Sequence, residues 1–157
     1  AGSQRPYQAV SDLHVGVISS SIGGHGADAC PSSETASCNG FPNTSNNDAA
    51  HLLDRKDACT QATVPTYQNG GFLAWDPKGK YSPAGDSDPV ALAQKFREIV
   101  LGAGQIGCGY ESQLESWYRF LVDPEPSLSI EIIDNKATPM GVDSALLLQR
   151  SEFLRPD

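Results

Sequence analysis

The run Leu13-His14-Val15-Gly16-Val17-Ile18-Ser19 decides how the chain is read. It is short, β-branched and apolar at Leu13, Val15, Val17 and Ile18, the composition of a strand buried at the centre of a sheet. Such a strand needs helices to cover it, and the helical signals lie downstream. Asp88-Pro89 supplies an N-cap and a first-turn proline ahead of an apolar stripe at Val90, Leu92, Phe96, Ile99 and Val100, and Gly102 closes it. A second helix is expected over about 110–122, with Tyr110, Leu114, Trp117, Tyr118 and Leu121 on one packing face and Asp123-Pro124 as its terminator. A third opens at Asp143 and runs to Leu154, just before Arg155-Pro156-Asp157. Strands interleaved with helices predict an α/β sandwich with a mostly parallel sheet. One clear strand does not make that sheet, so the others are expected from a protein that continues beyond Asp157.

Working outward, residues 20–69 sustain no period apart from a helical turn suggested at 48–53, and read as a long loop-rich insertion. Gly70-Gly71-Phe72-Leu73-Ala74-Trp75-Asp76-Pro77 is an apolar burst ended by Asp-Pro, expected as a second strand or as a loop plugging the core with Trp75. Leu128-Ser129-Ile130-Glu131-Ile132 alternates with period two, as an edge strand would, and a turn is expected from Asp134 through Gly141. The whole is one domain or part of one, with 20–69 the insertion and 88–157 mainly helical.

The 157 residues carry 11 Lys and Arg against 19 Asp and Glu, a net charge of -8, which is the wrong sign for a phosphate-backbone binder, so no nucleic-acid partner is expected. No run of eighteen apolar residues spans a membrane. The four cysteines, Cys30, Cys38, Cys59 and Cys108, form no C-x-x-C pair. Three lie in a Ser/Asn/Thr/Ala/Gly-rich region that buries too little apolar surface to order itself, which favours disulfides over free thiols and an oxidising compartment. All three connectivities stay open.

Several groupings bear on chemistry. Ser19-Ser20-Ser21-Ile22-Gly23-Gly24-His25-Gly26 follows the strand, where glycines let backbone amides approach an anion, but it fits neither phosphate-loop spacing and no lysine follows. Ser19, Ser21, His25, His51 and nearby aspartates contain the ingredients of a nucleophilic site without the G-x-S-x-G elbow that would expose a serine. His25, Asp28 and Cys30 are compact enough for a metal, yet a thiolate ligand conflicts with a disulfide. Glu111 and Glu115, four apart on a helix, make an ordinary solvated face, and Glu125 with Glu131 is no stronger a carboxylate pair. Gly107-Cys108-Gly109-Tyr110-Glu111 differs: a glycine-flanked loop enters a helix and sets a carboxylate at its first turn, the kind of junction where ligands and hard cations bind in open α/β folds. Asn43-Thr44-Ser45 has the form of a glycosylation sequon.

Five segments, taken in order, resemble secreted von Willebrand factor A-like proteins of myxobacteria and related bacteria: residues 14–28 (His14-Val15-Gly16-Val17-Ile18-Ser19 through Asp28), Gly71-Phe72-Leu73-Ala74-Trp75-Asp76-Pro77, Gly107-Cys108-Gly109-Tyr110-Glu111, residues 117–126 (Trp117-Tyr118-Arg119 through Pro126), and Phe153-Leu154-Arg155-Pro156-Asp157. The resemblance implies the internal portion of a doubly wound, Rossmann-like sheet with flanking helices and a disulfide-stapled insertion. It places a D-x-S-x-S strand before this region and an acidic loop after it. It implies Mg or Ca at the sheet edge, with Glu111 where the family has a threonine, and a Cys108 disulfide to a downstream loop. It further implies a secreted or cell-surface adhesion-type module, not an enzyme, that takes a protein or polysaccharide ligand. Ser19, Ser21, His25 and Asp28 would form the partner-binding edge, the insertion a cap over it, and the remaining segments of the same precursor would complete the sheet. The competing readings are a secreted hydrolase or self-processing precursor fragment, and a structural assembly subunit.

Overall fold

The computed structural model describes residues 7, 9–23, 46–60, 62–105 and 107–155. Strand β1 (Leu13–Gly16) pairs with β2 (Phe72–Trp75), placing Val15 opposite Leu73 and Gly16 opposite Phe72. Helices α1 (Pro89–Ala103) and α2 (Gln113–Leu121) follow, then a hairpin of β3 (Ser129–Ile133) and β4 (Lys136–Met140), then α3 (Ser144–Phe153). The expectation of a mostly parallel sheet is corrected: the described strands form two separate two-stranded sheets, each antiparallel. β1 is also shorter than its apolar run and only half-buried, because the Val17 carbonyl leaves the ladder to accept the Leu53 amide at 2.8 Å.

Period two explains why this small sheet is covered on both faces. Adjacent side chains on β2 point to opposite sides. Phe72 packs with Ile22, Ala50, Leu52, Phe120 and Leu146, which brings α2 and α3 to one face. Leu73 packs with Leu53, Val64 and Ile99, which brings α1 to the other. The apolar burst forms a second strand, the first of the two expected alternatives, and Phe72, not Trp75, fills the core. Trp75 is only partly covered, and its indole N–H donates to the Val10 carbonyl at 2.9 Å.

Residues 46–60 and 62–64 contribute side chains to this core. Ala50, Leu52, Leu53, Ala58 and Val64 are all buried. The helical turn expected at 48–53 is instead a left-handed one, with Ala49 and Ala50 at φ of 50° and 62° and the His51 amide returning to the Asp48 carbonyl at 2.9 Å. Leu52 and Leu53, adjacent in sequence, then feed opposite faces of the sheet as a strand would.

The helix starts follow their sequence signals. Asp88 caps α1 by accepting the Val90 amide at 2.8 Å with Pro89 as the first helical residue, and Asp143 caps α3 by accepting the Leu146 amide at 3.0 Å. Burial does not follow the stripes. On α1 only Ile99 of the predicted apolar set is buried, while Val90, Phe96 and Val100 face out. α2 starts later than expected and buries Ser116 and Phe120, leaving Leu114, Trp117 and Tyr118 exposed. The expected turn over 134–141 shrinks to Asp134-Asn135, both at positive φ (52° and 59°), the pair a two-residue hairpin demands. β4 follows at once, and that register sets Pro139 opposite Ile130 at a non-hydrogen-bonded position, where its missing N–H costs no ladder bond.

Candidate functional site

The three serines after β1 each take a different partner, and together they sew the strand end to the rest of the molecule. The Ser19 hydroxyl donates to the Asp48 carboxylate. The Ser21 hydroxyl, buried, accepts the Cys108 amide at 3.0 Å, while its carbonyl accepts the Asp48 amide at 2.8 Å. Ser20 turns the other way: its hydroxyl donates to the exposed Glu111 carboxylate, and its carbonyl accepts the Ser112 amide at 3.1 Å. The loop at 107–112 is thereby fixed beside the strand end, and Glu111 stands at the rim of an open depression lined by Glu111, Ser112, Gln113, Leu114 and Glu115.

A buried ion pair braces this seam from behind. Arg55 grips Asp48 with two nitrogens, at 2.5 and 3.0 Å, both side chains being almost fully covered, and its Nε donates to the Gly102 carbonyl at 2.8 Å. Asp48 thus holds Ser19 on one side and Arg55 on the other, so its charge is compensated internally and it is not a spare cation ligand.

Among the sequence-predicted residues, Ser19, Ser21 and Glu111 meet at this edge, the two serines facing inward and Glu111 outward. His25, Asp28, Cys30, Cys38 and the Asn43 sequon lie outside the described residues. Cys59 and Cys108 are both disulfide-bonded, and none of the described cysteines is free. Glu115 shares the exposed face of the depression with Glu111. Glu125 and Glu131 are exposed, on the α2–β3 link and on β3.

Sequence reasoning passed over Ser20, Asp48 and Arg55. Ser20 was legible only as the middle of a serine run, and nothing local marks Asp48 or Arg55 as partners. It also passed over a second network. Asp143, buried at the start of α3, accepts from His51 Nε2 at 2.8 Å and lies 3.5 Å from the Arg119 guanidinium, which itself donates to the carbonyls of Ala49 and Ser127. Burial pushes the Asp143 carboxyl upward, but the Leu146 amide, His51 and Arg119 outweigh it and hold the group below the usual carboxylate range. These bonds clasp residues 49–51, α2 and α3 together. A third network, Tyr81 and Arg155 sharing the Asp12 carboxylate, ties residues beside β1 and β2 to the end of α3.

A hard cation takes six or more oxygen donors. Ser20 and Glu111 are right in kind and short in number, and the described residues hold no group of three metal-ligating His, Cys, Asp or Glu side chains. No described helix is long and apolar enough to cross a membrane. The chain matches no protein-family model, no curated protein and no solved structure.

Proposed function

We propose that the chain is a binding module of a secreted or cell-surface protein, part of a von Willebrand A-like domain, whose contact edge is the Ser19–Ser21 turn with the loop that carries Glu111. The carrying observation is the bond from the Ser20 hydroxyl to Glu111, which sets an oxygen donor and a carboxylate together on an exposed rim at the carboxyl end of β1. Helices cover both faces of β1–β2, the layering that an A-type domain has, while the antiparallel pairing of these two strands departs from it. A Mg or Ca ion here would take Ser20 and Glu111 as protein donors and its remaining oxygens from water and from a protein or polysaccharide ligand, with other segments of the same precursor completing the sheet. The test is calorimetric titration of the metal-stripped chain with CaCl2 and MgCl2. A saturable heat that Glu111→Gln weakens at least tenfold supports the reading. No saturable heat with either ion, or one that Glu111→Gln leaves unchanged, removes the cation from it.

A further inference from the structure

The inverted seating of α2 carries a second binding surface. An amphipathic helix ordinarily turns its apolar stripe to the core. α2 does the reverse: Ser116 and Phe120 face in, while Leu114, Trp117 and Tyr118 are 88%, 63% and 48% exposed, with Tyr110 exposed just before the helix and Val122 just after it. Large exposed aromatics such as Trp and Tyr are the usual anchors of a protein interface. The charges around them have one sign. Glu111 and Glu115 flank the patch, and the only cation of α2, Arg119, is spent inward on Ala49, Ser127 and Asp143.

We infer that this face of α2 docks a basic amphipathic helix of a protein partner, its apolar side chains set between Leu114, Trp117 and Tyr118 and its Lys or Arg residues against Glu111 and Glu115. Charge selects this occupant over a second copy of the chain. A two-fold contact through the same face would bring Glu111 and Glu115 up against their own kind on a chain of net charge -8, whereas a basic helix is attracted at long range and paired at contact. The surface shares Glu111 with the proposed cation edge, but its apolar anchors and Glu115 lie outside that edge, and the test is made without divalent ions so that Glu111 keeps its charge.

The test uses the 157-residue chain in EDTA, with two labelled 18-residue helical peptides as probes: one of Leu and Lys, one of Leu and Glu with the same apolar face. Fluorescence anisotropy should show the Leu/Lys peptide binding at least tenfold more tightly than the Leu/Glu peptide. Leu114→Ser with Trp117→Ser should weaken it at least tenfold, and Glu111→Gln with Glu115→Gln should weaken it and flatten its salt dependence. Val90→Ser, at another exposed apolar position, should leave it unchanged. Equal binding of the two peptides, or undiminished binding by the Leu114/Trp117 variant, overturns the proposal. So does a dimer in light scattering that the same variant dissolves, since the occupant is then a second copy. Because the medium holds no free divalent ion, and the Leu114/Trp117 variant keeps both Ser20 and Glu111, failure here is separate from failure of the cation edge.

Discussion

Arg55 and Asp48 form a two-pronged ion pair, at 2.5 and 3.0 Å, beneath the carboxyl end of β1, and each spends its remaining capacity on a different layer: Asp48 on Ser19, Arg55 on the Gly102 carbonyl of α1. Removing one partner of a buried pair leaves the other charge uncompensated. Asp48→Ala should therefore cost about 3–5 kcal/mol in urea denaturation, and adding Arg55→Met should restore much of that loss. A single-variant cost below about 1 kcal/mol, the value of an exposed pair, contradicts the buried clasp.

Gly102 is the point where α1 crosses that clasp. A Cβ placed there would come within 1.9 Å of the Arg55 carbonyl oxygen, so helix and loop would have to part. On helix propensity alone, Gly102→Ala should stabilise by up to about 1 kcal/mol. The packing predicts the opposite sign, a loss of about 1–3 kcal/mol or more. Thermal unfolding of the variant decides between the two.

The orientation of α2 makes its own contrast. Phe120 is fully buried against Phe72 and Leu146, and Phe120→Ala should cost about 3–5 kcal/mol. Leu114→Ser and Trp117→Ser, at exposed positions, should stay within about 0.5 kcal/mol of the parent. Equal losses at Leu114 and Phe120 would mean that the helix is seated the other way round.

Stability should fall at both ends of the pH range for different reasons. Asp143 sits below its ordinary pKa in the folded chain, so its contribution is complete above about 3.8 and is lost as pH falls further, through the folded value. Tyr81 is pushed up to about 12, first by burial and then by its hydrogen bond to Asp12. Its contribution is complete below pH 10 and is lost as pH rises toward about 12. Urea midpoints across pH should show both limbs. Asp143→Asn should flatten the acid limb and Tyr81→Phe the alkaline one, and unchanged slopes would contradict the assignments.

What the sequence made legible follows the range over which its signals act. Asp88-Pro89 and Asp143 marked two helix starts because a cap is a bond between near neighbours, and the apolar burst at Phe72–Trp75 marked β2 because it is short and continuous. Register and facing were not legible. Nothing in Leu13–Gly16 says that β2 returns antiparallel across more than fifty intervening residues, and the stripe on α2 pointed its large side chains at a core that took Phe120 instead. At the candidate edge, Ser19, Ser21 and Glu111 stood out from their loop positions. Ser20, Asp48 and Arg55 did not, because Ser20 meets Glu111 91 positions away, and Asp48 and Arg55, seven apart, sit in an aperiodic loop and are tied to Ser19 and Gly102 at separations of 29 and 47.

The central claim, that the carboxyl end of β1 and the loop carrying Glu111 form one cation-dependent contact edge, is tested most directly by amide chemical-shift mapping on the 15N-labelled chain during Ca or Mg titration. The account predicts shifts concentrated at Ser19–Gly23 and at Cys108–Glu115, absent in Glu111→Gln. Shifts centred elsewhere, or none at saturating ion, would contradict it.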